Sequence, residues 1–250
     1  TAYEIRLSLV GSEMCIRDRF KPDLVLLPIL IQKNDSNHKT IKIMSSDDII
    51  TYGILHFAKW TKDIERIWNI HKTPKSKNMS AQDRLNFQQG LTSQNLNAPY
   101  LVLYNASAKD ANATIVKRAD LDLEFIVESV SYVYYTHSLQ EAYYLTSILN
   151  SALPNLQMKD FQARGLFGPR HVHKKILDIY FPKFDEKDNT HISLAQLSEA
   201  AHNKAAKYVA QNPPKTPLAA MQLGRLRTDI KKYLAGEIKQ IDELVAAILN

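Results

Sequence analysis

The chain has 250 residues, 45% of them apolar and 23% charged, with a net charge of +6 and a pI near 9.2. That length allows one large domain or two small ones, and the composition is that of a globular chain rather than a disordered or fibrous one. The longest apolar run, Leu24 to Ile31, is too short to cross a bilayer and contains Pro28, so no membrane segment is expected; the mild basicity admits a polyanionic partner without requiring one.

Residues 1–19, TAYEIRLSLVGSEMCIRDR, look like a sequencing-library adaptor translated in frame, and MCIRD is what its transposon end encodes. The expectation is that this stretch is an artefact to be set aside from the fold, and that the natural gene is interrupted there. Cys15, the only cysteine, lies within it. The rest, being free of cysteine, excludes disulfides and thiolate-bound zinc and fits a reducing compartment, the cytoplasm.

From residue 20 the pattern predicts an α+β fold. LVLLPILI and TIKIM read as strands around the polar turn KNDSNHK. Ser46 and Asp47 are placed to cap a helix running from Asp48 to Trp60 and on towards Trp68. Residues 71–98 are polar and read as a long loop with a turn of helix. Buried-strand patterns follow at 100–107, from Ala113, and across Phe125 to Tyr135. Ser138 and Glu141 form a capping-box pattern before a helix with Ala142, Leu145, Ile148 and Leu149 on one face. A second short helix is expected to run to about Gln162. Ser193 with Gln196 suggests another helix start, with Leu194, Leu197, Ala201, Ala205 and Val209 as its stripe. After NPPKTP, one longer helix is expected through Leu226, Ile230, Leu234, Ile238, Ile241, Val245 and Ile248, giving a helical hairpin. The expected domains are 20–190, a mixed α+β region, and 191–250, the hairpin.

The stretch FQARGLFGPRHVHKK, residues 161–175, concentrates chemistry. Two of the seven glycines, Gly165 and Gly168, lie among Arg164, Arg170, His171, His173, Lys174 and Lys175, with no carboxylate between Asp160 and Asp178. Glycines let backbone amides approach an anion, and the basic groups add donors and charge, which is the chemistry of phosphate contact. A glycine turn with solvated charges fits the same composition, and the residues alone leave both open. Two histidines without a nearby carboxylate or thiol make a poor metal site, and no metal ligand is assigned.

No catalytic or cofactor-binding residue is assigned either. There is no phosphate-loop or GxGxxG pattern, and the strand at Phe125 offers Glu124 and Glu128 without the lysine that a PD-(D/E)xK nuclease needs. Asn212-Pro213-Pro214 resembles the NPPY motif of amino-methylating enzymes, but Lys215 stands where an aromatic should stack on a base, so it reads as a helix breaker. The cluster Tyr132, Tyr134, Tyr135, Tyr143 and Tyr144 is assigned mainly to packing, with base stacking as the other reading.

Taken together, EAYYLTSILNS, the glycine-arginine loop, the PKFD segment and HISLAQLSEAAHNKA resemble, in order, the C-terminal target-recognition region of N6-adenine DNA methylases of restriction–modification systems. DRLNFQQGLTSQNLNAPYLVLYNASAKDANATIV upstream is similar to that region too, so the resemblance spans about residues 60–250. It implies double-stranded DNA as partner and phosphate contact for the loop residues. It also implies S-adenosylmethionine as the parent protein's cofactor, held by an N-terminal methyltransferase core before residue 20 that is missing from the chain. The parent carries a restriction nuclease in some such systems. The alternatives are a non-catalytic specificity subunit of such a system and a helical protein-interaction module.

Overall fold

The computed structural model describes residues 4–8, 23–106, 110–128, 131–165, 168–170, 176, 179–213 and 220–249. Its order and mix of elements make the protein α+β, with small sheets followed by C-terminal helices. Two units are present. One holds Pro22–Asn97 and Leu121–Ser129 with the strand Glu4–Ser8; the other holds Ala98–Asp120 and Val130–Asn250. From residue 22 onward the chain passes between them three times; over that span the sequence analysis placed one boundary, near residue 190. Residues 22–97 and 121–129 contain equal numbers of basic and acidic side chains, so the net charge of +6 falls almost entirely on the second unit.

In the first unit, Pro28 divides the expected single strand into β2 (Asp23–Leu26) and β3 (Ile29–Lys33). β3 pairs antiparallel with β4 (Lys39–Ile43), placing Ile29 opposite Ile43 and Ile31 opposite Ile41. Between them Asn34 Oδ1 accepts from the N–H groups of Ser36 and His38, and Asn37 takes a left-handed φ of 59°, as asparagine tolerates. Leu27, Ile29, Ile41, Leu91, Leu96 and Ile126 form this unit's main core.

The strand β1 (Glu4–Ser8) falls within residues 1–19, the stretch that the sequence analysis sets aside. It is the central strand of a three-stranded sheet, antiparallel to β2 and parallel to β7 (Phe125–Val127). Main-chain hydrogen bonding is independent of side-chain identity, so two strand edges with open donors and acceptors are satisfied by any extended segment.

The helix expected from Asp48 begins earlier and breaks. Ser45, not Ser46 or Asp47, caps α1 (Ser46–Thr51), its hydroxyl accepting from Asp48 N–H while the Asp48 carboxylate accepts from Ser45 N–H. Those bonds hold the Asp48 carboxyl below its usual range. Gly53 ends the helix with φ of 76°, its N–H bonded to Ile50 O and that of Ile54 to Ile49 O, the left-handed termination that glycine permits. A separate α2 (Leu55–His71) follows. The expected loop at 71–98 contains α3 (Ala81–Leu85), capped by Ser80 with Asp83 in a reciprocal box.

In the second unit, β5 (Tyr100–Asn105) lies between β6 (Ala113–Lys117) and β8 (Ser131–Thr136), all antiparallel. The expected strand run from Phe125 to Tyr135 is thus shared: β7 serves one unit and β8 the other. α4 (Leu139–Asn150) is buried from Ala142 to Leu149 because it has protein on both sides. Ala142, Leu145 and Leu149 face Val102, Tyr104 and Met158, while Tyr143, Tyr144 and Ile148 pack with Leu194, Ala195, Ile241 and Val245.

α5 (Ala152–Met158) is short, and α6 (Asn189–Gln211) starts a turn before the expected Ser193. Asp188 is its cap, accepting from the N–H groups of Thr190 and His191, and Ser193 Oγ donates to Asn189 O within the helix. The single long C-terminal helix is two, α7 (Ala220–Tyr233) and α8 (Ala235–Leu249). Backbone bonds from Leu234 N to Ile230 O and from Ile238 N to Leu234 O persist across the junction. Ile230 and Leu234 pack with Ala205, whereas Ile241 and Val245 pack with Leu194, Ala195 and α4, so one stripe serves two stretches of α6.

Candidate nucleic-acid interface

The loop singled out by the sequence leaves the core and returns to it at fixed points. Met158 ends α5 fully buried, Phe161 N–H bonds to Met158 O at 3.0 Å, and Gln162 is buried. Ile176 is buried in the same cluster as Met158. Between these anchors β9 (Ala163–Gly165) and β10 (Gly168–Arg170) form a two-stranded antiparallel ribbon. Its register pairs Gly165 with Gly168, Arg164 with Pro169 and Ala163 with Arg170. Successive strand positions alternate between faces and cross-strand partners share one. Positions 164 and 170 therefore fall on opposite faces of the ribbon.

Of the eight residues the sequence assigned to DNA contact, Arg164, Gly165, Gly168 and Arg170 lie in this ribbon. His171, His173, Lys174 and Lys175 lie outside the described residues. Lys159, next to the ribbon, is engaged with Asp110 at 3.4 Å and is not available to a ligand on the same terms. Among the described residues no group of three or more His, Cys, Asp and Glu could hold a metal ion.

The other blocks quoted for the resemblance are joined to one another as scaffold. Tyr144 of the YL..ILNS block donates to Pro182 O at 2.8 Å, and burial raises the pKa of its phenol, keeping the donor protonated. Asp185 N–H donates to His191 Nδ1 at 3.0 Å, tying PKFD to the first turn of α6. Ser151 Oγ donates to Asp242 Oδ1 at 2.6 Å, linking the end of α4 to α8. Further along α6, His202 Nδ1 donates to Ser198 O at 2.7 Å, while its Nε2 is enclosed without a hydrogen-bond partner among the described residues. Burial holds the His202 pKa down at about 4, with Lys117 adding to the effect.

The tyrosines divide as well. Tyr143 and Tyr144 are core, and Tyr104 stacks on Tyr132 at 5.3 Å, while Tyr134 donates to Glu141 at 3.0 Å from an exposed position. Asn212 terminates α6, its N–H and its side-chain amide both bonding Tyr208 O, which is the helix-end role read from NPP.

Two features escaped the sequence reading. Phe161 and Tyr180, on either side of the ribbon, are exposed. Periodicity reports where apolar residues recur, not which of them remain uncovered. In the first unit, α2 and α3 border an apolar groove of about 840 Å³ lined by Trp60, Ile64, Ile67, Trp68 and Leu85. The stripe Trp60, Ile64 and Ile67 was legible as helical spacing, which normally marks an inward face. Trp68 Nε1 donates to Met79 O at 2.7 Å and fixes the segment entering α3 against α2. No helix among the described residues is long and apolar enough to cross a membrane. No family model matches the chain, and no curated protein matches it.

Proposed function

We propose that the chain is the DNA-contacting, target-recognition part of an S-adenosylmethionine-dependent adenine-N6 DNA methyltransferase, acting on double-stranded DNA in the cytoplasm. In this reading the cofactor site and catalytic residues belong to a methylase core that this region does not supply. The β9–β10 ribbon is the element that meets the duplex.

The observation that carries the proposal is the anchored ribbon with arginine positions on opposite faces. A two-stranded ribbon is one of the two elements that fit the major groove of B-form DNA, and both walls of that groove are lined by phosphates. Basic positions on both faces suit a ribbon seated between two phosphate rows better than one lying flat on a surface. The concentration of net charge on the unit that carries the ribbon supports the same reading. Backbone contact of this kind gives affinity and register, while base contacts give sequence preference. The salt dependence of duplex binding by the whole chain, with and without Arg164 and Arg170, tests the proposal.

A further inference from the structure

Two aromatic side chains that flank the ribbon in sequence, Phe161 and Tyr180, stand in solvent. Phe161, two residues before β9, is 59% exposed, although its backbone is held by the bond to Met158 O. Tyr180 is 85% exposed, although Ile179 and Phe181 on either side of it pack against the cluster that contains Met158 and Ile176. Burying such rings is one of the larger favourable terms in folding, yet they stay exposed while Gln162 beside Phe161 is buried and Ile179 and Phe181 beside Tyr180 are partly buried. Each ring is therefore displayed by backbone that the core holds in place.

We infer that Phe161 and Tyr180 stack on nucleobases beside the backbone grip of the ribbon. The inference rests on the DNA reading and deepens it. Every base presents a flat π-face, so a rigid exposed ring gains contact without regard to sequence, and the contact is not electrostatic. Aromatic and apolar side chains also insert at base steps of a duplex, where they unstack a step in exchange for added contact. The expected ligand is a duplex with an unstacked or easily unstacked base next to the ribbon.

The test uses the whole chain, a mixed-sequence DNA duplex, and the same duplex with one central mismatch. Tyr180→Ala and Phe161→Ala should each weaken binding by roughly 5- to 150-fold, the range for one lost stacking contact, with the salt slope unchanged. Tyr180→Phe should retain the affinity. The wild type should prefer the mismatched duplex, whose base is cheaper to unstack, and the alanine variants should lose that preference. Both residues are exposed, so thermal midpoints should not move. If the alanine variants bind as wild type does while Arg164→Ala/Arg170→Ala still flattens the salt slope, the DNA reading stands and this inference is wrong. A lowered salt slope in Tyr180→Ala also overturns it, because the ring would then act by holding the ribbon's charges. If the whole chain shows no salt-dependent duplex binding, the reading and the inference fall together.

Discussion

Asn150 satisfies both backbone groups of Ala113: its Oδ1 accepts from Ala113 N–H at 2.9 Å, and its Nδ2 donates to Ala113 O at 2.9 Å. Ala113 is the first residue of β6, whose other edge pairs with β5. A side-chain carboxamide thus takes the place of a neighbouring strand. The first unit uses the same device twice, with Asn97 bracketing Lys39 and Gln94 bracketing Val127. Strands this short leave edge groups open, and an amide offers a donor and an acceptor at the spacing a peptide does.

Asn150→Leu should therefore destabilise the second unit by about 2–4 kcal/mol, because two backbone groups lose partners where water has little access. The change is read as a lower urea midpoint without a change in slope. A loss under about 0.5 kcal/mol, the range of an ordinary surface substitution, would show that water replaces the amide freely.

His202 should make stability depend on pH. Its folded pKa of about 4 lies below the usual 6.5, so between those values the unfolded chain binds a proton that the folded one refuses. The stabilising contribution is complete above pH 6.5 and is lost as pH falls towards 4, at about 1.4 kcal/mol per unit while the difference persists. Asp48, Asp83 and Asp188 also have lowered pKa values, but their contributions are lost from the carboxylate range downwards, below most of the histidine window. Urea midpoints at pH 7 and pH 5 should differ more in the wild type than in His202→Gln. Equal differences would mean that His202 titrates normally in the folded state.

The central position of β1 carries a direct consequence. Deleting residues 1–19 removes the strand between β2 and β7 and should lower the thermal midpoint, by roughly 2–4 °C for each kcal/mol lost. Since the pairing is main-chain, replacing residues 4–8 with another β-forming sequence should restore it. An unchanged midpoint after deletion would show that the strand contributes nothing to the folded protein, as the adaptor reading of the sequence expects.

The parts of the fold legible in sequence were those set by local chemistry. Continuous apolar runs marked β3 and β5, TIKIM marked β4, and Ser138 marked the start of α4, where its hydroxyl accepts from Glu141 N–H. The reciprocal half of that box was not realised, because the Glu141 carboxylate is engaged by Tyr134 and Thr136. The break at Gly53 depends on one backbone angle that helical periodicity does not encode. The division of Phe125–Tyr135 between two sheets depends on partners distant in the chain. The glycine-arginine segment was visible as composition, but the opposite faces of Arg164 and Arg170 follow from the register of β9 against β10, which composition does not fix.

The proposed role makes a claim about the cofactor. Calorimetric titration of the whole chain with S-adenosylmethionine should give no saturable heat, since the methylase core is assigned elsewhere. Saturable binding would place a cofactor site within these residues and overturn that assignment.

The central claim is that the ribbon grips the DNA backbone, and the salt dependence of duplex binding tests it most directly. Each phosphate neutralised contributes close to one unit to the slope of log affinity against log salt concentration. Arg164→Ala/Arg170→Ala in the whole chain should weaken binding to unrelated duplexes alike and make the slope shallower by about two units if both residues meet phosphates. Unchanged affinity and slope would contradict the account and leave the ribbon a charged turn. Loss confined to one sequence, with the slope preserved, would contradict it as well, by assigning these arginines to bases.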